Sequence, residues 1–279
     1  MINKQSPFKK ALLYLLILLL LVLFLFPIYW MFIGSFKDNS VLMRLPPQFY
    51  PTFSTFKSYE AIFSNAKYMK YILNSMIVAA LTVGIDLLFS IFGGYSLSRF
   101  RYPGRKAIMT VTLSAQVFPT VVIIISLYEF FSKFKLMNTY YGLSLADVAM
   151  SLPLSVWMLK SFCDGVPRSL DEAAKVDGCG RFMTMVRIVI PLLKPGMLAV
   201  GIYAFLMSWD DYMLGLVIMT KTPLKTLPVG ISETFLGEFG FDYAGMMTIS
   251  VVASLPVLLL FLIFQKYMVA GLTGGAVKE

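Results

Sequence analysis

Six runs of this chain, at about 11–33, 72–94, 107–128, 142–162, 194–219 and 245–267, are each apolar and long enough for a helix to cross a bilayer, whose hydrocarbon core takes roughly 20 residues. Lipid offers no hydrogen bonds to the backbone, so runs of this kind specify helices. The expected fold class is therefore an all-α integral membrane protein with six transmembrane helices. Composition agrees: 58% of residues are hydrophobic and 14% charged, against about 45–50% and 25% in soluble domains. One bundle of six spans uses the whole of 1–279, which predicts a single domain. The first run follows Lys4, Lys9 and Lys10 as a signal peptide would. It is too long for that and has no small-residue exit, so it is expected to stay as an uncleaved anchor.

Charge sets the expected orientation. Lys and Arg are richer in the N-terminus, in the connector holding Arg99, Arg101, Arg105 and Lys106, in the one holding Lys160 to Lys194, and in the tail. By the positive-inside rule these segments face the cytoplasm, with both termini, and 34–71 becomes a long external loop. Within that loop LPPQFYP predicts an extended arm and STFKSYEAIFSN a short surface helix. The net charge of +9 is spread over these connectors and not gathered on one face, which argues against nucleic acid. The chain has no histidine, which removes the commonest metal ligand and general base. Cys163 and Cys179 form no CxxC pair and are expected as small packing residues of the fourth connector.

That connector, 167–193, carries the densest pattern. Ser169 followed by Glu172 predicts a capping box that starts a short helix, with Asp171 and Glu172 at its positive end. Ala173 and Ala174 give it a small-residue surface, Gly178 and Gly180 can end it, and Pro191 and Pro195 bend the chain into the fifth run. Glu172-Ala173-Ala174, Gly178, Ile188 and Ile190-Pro191, at their spacing, resemble the Glu-Ala-Ala loop of binding-protein-dependent ABC importer permeases. The one departure is Ile190 in place of the leucine before the proline. The flanks Pro167-x-Ser169-Leu170-x-Glu172 and Leu192-x-x-Pro195-Gly196 agree with that family.

Further motifs are similar to the maltose-type carbohydrate importers and to the smaller of their two permease subunits. They are Phe56-Lys57-x-Tyr59, Asn74-Ser75, Tyr95-x-Leu97-x-Arg99, Trp209-Asp210-Asp211-Tyr212 and Gly271-Leu272-Thr273-x-Gly275-Ala276-Val277-Lys278. The resemblance implies a cytoplasmic coupling helix between spans 4 and 5, in which Glu172, Ala173, Ala174, Gly178, Ile188 and Pro191 meet a separate ATPase. It also implies a tail over 268–279 whose Gly275, Val277 and Lys278 reach that ATPase. The implied partners are a second homologous permease in a heterodimer, two ATPase subunits and an extracytoplasmic sugar-binding protein, in a bacterial cytoplasmic (inner) membrane. No cofactor is expected on this chain. It has no phosphate loop, and ATP and Mg are expected on the ATPase subunits.

Polar residues inside apolar runs are the expected substrate path: Asn74, Asp86, Gln116, Trp209, Asp210 and Asp211. Asp147 is a further intramembrane acid. Aromatic stacking beside carboxylates suits sugars, and interhelical polar bridging explains the same residues. An importer of a non-sugar solute would share the coupling loop. An ion-coupled secondary transporter would use Asp86 and Asp210 but leaves the loop unexplained, and a membrane enzyme would have to rely on an aspartyl pair.

Overall fold

The structure, a computed structural model, describes residues 7–50, 55–235 and 242–274, and every regular element among them is helical. It divides into two compact units, Met1–Ala66 with Ile231–Leu255 and Lys67–Gly230 with Pro256–Glu279. The elements used below are α1 (Pro7–Gly34), α2 (Ala66–Arg99), α3 (Arg105–Ser114), α4 (Thr120–Lys133), α5 (Tyr140–Gly165), α6 (Ser169–Val176), α7 (Arg181–Leu192), α8 (Lys194–Trp209), α9 (Met213–Ile218) and α10 (Tyr243–Gly274).

Among the described residues, four helices are long and apolar enough to cross a membrane, or six if each of two bent pairs counts as one span. They differ in a telling way. The 18-residue windows of α1 and α10 have mean hydropathies of 3.1 and 2.6 and are 0% and 17% buried, whereas that of α5 has 1.4 and is 56% buried. α1 is apolar all round, a surface suited to lipid or a partner.

The third run departs from the expected single span. α3 continues as a 3₁₀ turn to Val117, and α4 then leaves at 102°. Pro119 has no N–H and disfavours the helical conformation for the residue before it, and Phe118 is accordingly extended at ψ 132°. Pro27 and Pro153 lie inside unbroken helices. The fifth run is also shorter than expected. α8 stops at Trp209, and α9 begins after a break in which Asp211 accepts hydrogen bonds from the Leu214 and Gly215 N–H groups at 3.1 and 2.7 Å. A carboxylate that satisfies free helix N–H groups makes a new start out of what composition reads as one apolar run.

In the first unit, the short helix expected after the Pro-rich arm forms at Lys57–Ser64. The Ser35 and Tyr59 hydroxyls lie 2.8 Å apart, and Thr248 donates to the Ser35 carbonyl at 3.1 Å. Lys37, just beyond α1, is 1% exposed, donates to the Gln48 carbonyl and sits over the Trp30 ring; burial lowers its pKa.

In the second unit, two apolar cores form, the first from α2, α4, α5 and α9 and the second from α2, α5 and α7. One gathers Val78, Phe131, Leu143, Ala146, Leu214, Ile218 and Met219; the other gathers Tyr95, Cys163, Val166, Met185, Val189 and Leu193. Cys163 belongs to α5 and not to the connector, and is fully buried. Near the contact of α2 with α5, a Cβ on Gly94 would stand 2.8 Å from the Lys160 backbone nitrogen. Small residues permit such an approach between membrane helices.

Candidate functional site

The 167–193 connector lies wholly in the second unit. α6 begins at Ser169, but not through the expected capping box. Arg168 is the cap and has a helical conformation, and no side chain closes the end. The free N–H groups are taken by backbone: Leu170 donates to the Pro167 carbonyl at 3.3 Å, and Asp171 and Glu172 donate to that of Arg168 at 3.0 and 3.2 Å. The turn at 167–168 has already filled the role that the Ser169 hydroxyl would play.

The other end of α6 follows its glycine. Gly178 has φ +80°, its N–H donates to the Lys175 carbonyl at 3.1 Å, and the Cys179 N–H donates to that of Ala174 at 2.8 Å. This is the Schellman arrangement, which places glycine in the left-handed region. Nothing lies within 4 Å of a Cβ built on Gly178, so its requirement is conformational. Gly178→Ala should destabilise this helix end by about 1 kcal/mol, and Gly178→Asn by less, because asparagine tolerates this conformation. Amide hydrogen exchange over 174–179 measures both. Equal exchange in Gly178→Ala and wild type would mean that the backbone angle constrains nothing.

α6 therefore presents two faces. Ala174 is buried, while Glu172, Ala173 and Val176 are exposed. Val176 is 88% exposed and Phe182, on the next helix, 67%. Exposed apolar groups beside charges mark interaction surfaces. Phe182 was not singled out from sequence, and the only signal for it is a large aromatic in a short polar connector. Ile188 is half-buried and Pro191 exposed at the far end of α7, whose residues Met185–Val189 form a π-helical stretch. α7 meets α8 at 77°.

Beneath α6, the end of α2 is tied to it. Arg99 Nε lies 3.0 Å from Asp171 Oδ2, with the two side chains 7% and 17% exposed. Arg99 also donates to the Val166 carbonyl at 2.9 Å, Arg168 to the Ser98 carbonyl at 3.0 Å, and Ser98 to Asp164 at 2.6 Å. Arg181 stacks over the Phe100 ring at 5.3 Å. Arg99, Phe100, Arg168, Asp171 and Arg181 border a cavity of about 170 Å³ that also touches Glu172 and Lys175.

The residues expected along a substrate path are dispersed. Asn74 is 1% exposed and donates to the Pro223 and Lys225 carbonyls at 3.0 and 2.8 Å, while its own oxygen accepts from Tyr140 at 2.8 Å. Asp86 is fully buried and accepts from Ser151 at 2.9 Å. Asp147 accepts from Ser208 at 2.6 Å and, more distantly, from Thr82 at 3.4 Å. Trp209 is 4% exposed and stacks on Phe205 with ring centroids 5.5 Å apart. Asp211 caps α9, and Asp210 is exposed. Gln116 lies beside the break between α3 and α4, on a cavity of about 190 Å³. Gly275, Val277 and Lys278 lie outside the described residues.

Comparison with known proteins adds the following. The family model described as "binding-protein-dependent transport system inner membrane component" matches residues 86–274. The sulfoquinovosyl glycerol transport system permease protein of Agrobacterium fabrum is 35% identical over 91% of this chain and 89% of its own length. The trehalose/maltose transport system permease protein of Thermococcus litoralis is 33% identical over 99% of both. A chain from the crystal structure of a bacterial ABC transporter that imports alginate superposes with a TM-score of 0.83 at 18% identity, covering 96% of this chain and 99% of that one. At that identity the likeness speaks for the fold.

Proposed function

We propose, for a chain that belongs to the binding-protein-dependent transport system inner membrane component family, that it is the permease subunit of an ATP-driven importer of sugars or oligosaccharides. Membership makes it a multi-pass membrane transport component and not an enzyme. The sugar assignment is supported by relatives named for trehalose/maltose, diacetylchitobiose and arabinooligosaccharides at 32–34% identity.

In this reading the chain is one transmembrane domain of six spans, each bent pair counted once, with both ends and the 167–193 connector in the cytoplasm of a bacterial inner membrane. It pairs with a homologous permease, and two ATPase subunits supply ATP hydrolysis with its Mg. A binding protein outside the membrane delivers the sugar; a solved alginate ABC transporter of similar fold is in complex with a periplasmic protein carrying an alginate pentasaccharide. The observation that carries the coupling role is the exposed face of α6: Glu172 for a cationic partner group, Ala173 for close approach, Val176 and Phe182 for apolar contact, with Gly178 ending the helix. The tail residues Gly275, Val277 and Lys278 are proposed to extend that contact.

Tagged chain is to be purified from detergent-solubilised native membranes and its co-purifying subunits identified. A second permease and an ATPase should be recovered with the wild-type chain. Glu172→Lys should lower ATPase recovery about tenfold while leaving the permease pair intact, because an exposed interfacial charge reversal costs about 1.4 kcal/mol or more. Recovery of the chain without an ATPase, still transporting in liposomes under an ion gradient, would overturn the reading in favour of secondary transport.

A further inference from the structure

The break between α3 and α4 sits in the middle of an apolar run, where irregular backbone is tolerated only if protein buries it or a wet cavity receives it. This chain does not bury it: Val117 is 83% and Phe118 65% exposed. The cavity of about 190 Å³ opens here, between the break and helices α5 and α8. That volume equals about six waters.

Its chemistry is specific. Gln116 reaches the Met150 carbonyl only weakly, at 3.4 Å, and shares the cavity wall with Tyr203. Pro153, also on the wall, has no N–H to donate to the carbonyl of Ala149, one turn earlier and another lining residue. Phe118 and Tyr203 supply aromatic surface. No lining residue carries a charge. Amide, hydroxyl and carbonyl groups set among aromatic rings suit a neutral polyhydroxylated ring, and an anionic solute would enter without a counter-charge, which is costly away from water.

We propose that this cavity is a subsite for one neutral sugar ring on the translocation path, which Gln116 and Tyr203 recognise and which disfavours anionic rings. The proposal rests on the importer reading and names the substrate class at one place within it.

The test uses the full complex, co-purified and reconstituted in proteoliposomes, with Cys179→Ser as background and Ala115→Cys or Thr120→Cys placed on either side of the break. A charged, membrane-impermeant methanethiosulfonate reports water access. Maltose, trehalose and diacetylchitobiose are the neutral probes, and sulfoquinovosyl glycerol the anionic one. Both cysteines are expected to react, and the neutral sugar that the complex transports should slow the reaction at least tenfold, with no effect of sulfoquinovosyl glycerol. Tyr203→Phe should raise the half-saturation of that sugar roughly three- to tenfold with an unchanged maximal rate, the loss of one neutral hydrogen bond. A merely structural hydroxyl would lower the rate for every solute instead. Cysteines that do not react, that react without protection, or that the anionic sugar protects equally would overturn the subsite while uptake continues. A complex that takes up none of the neutral sugars removes the sugar reading and the subsite with it; the two failures are thereby told apart.

Discussion

Under the proposed coupling of α6 to an ATPase, Arg99→Met is expected to lower transport per assembled complex by roughly 100-fold, with that ATPase still bound. Arg99 ends the long helix α2 and places its cation 3.0 Å from Asp171, on the first turn of α6. Both side chains are largely buried, so removing one charge strands the other, at about 3 kcal/mol. The backbone links flanking the pair, Arg99 to the Val166 carbonyl and Arg168 to that of Ser98, make the end of α2 and the α6 connector one rigid joint. In the proposed coupling role of α6, a push on it would reach α2 directly as well as α8 through α7. The measurement is ATP-dependent uptake normalised to co-purified ATPase. Arg99→Asp with Asp171→Arg should recover part of the loss, because the pair is restored in reverse. Uptake at the wild-type rate in Arg99→Met would show that the joint transmits nothing.

A larger structural effect is expected from Gly94→Leu. The missing Cβ would stand 2.8 Å from the Lys160 nitrogen and 3.0 Å from Leu159 Cβ, and backbone atoms cannot move aside as a side chain can. Separating α2 from α5 also pulls on the Ser98 to Asp164 bond one turn away. The cost should reach at least about 3 kcal/mol, read as loss of the monodisperse peak on detergent gel filtration and a lower unfolding temperature. Gly84→Leu, on the same helix, is the control. Nothing lies within 4 Å of its Cβ, and that variant should behave as wild type.

Hydropathy located the helices well because it reports the solvent that a segment needs. The apolar runs at 72–94 and 142–162 lie within α2 and α5. It could not locate the bends. Pro27, Pro119 and Pro153 look alike in sequence, yet only Pro119 breaks its helix, because only there does the preceding residue turn extended. Asp211 reads as an intramembrane acid until the N–H groups it caps are seen. The 167–193 loop was legible because its signals are local: Gly178 takes the positive φ that its position at a helix end implies. Arg99 and Asp171 are far apart along the chain, and no local rule pairs them. The same holds for Gln116 and Tyr203. The capping box misled at Ser169 because the pattern cannot register that a preceding turn has already occupied the N–H groups.

The contrast between α5 and its fellow spans bears on biogenesis. A segment with a mean hydropathy of 1.4 that holds Asp147 partitions into lipid far less readily than α1 at 3.1 or α10 at 2.6. The bonding groups that receive Asp147 come from Thr82 on the earlier α2 and Ser208 on the later α8. During synthesis α5 thus emerges before one of its two polar hosts exists. Its polar contacts are therefore complete only once α8 has followed, so the order in which helices leave the ribosome and the order in which their packing is finished are different.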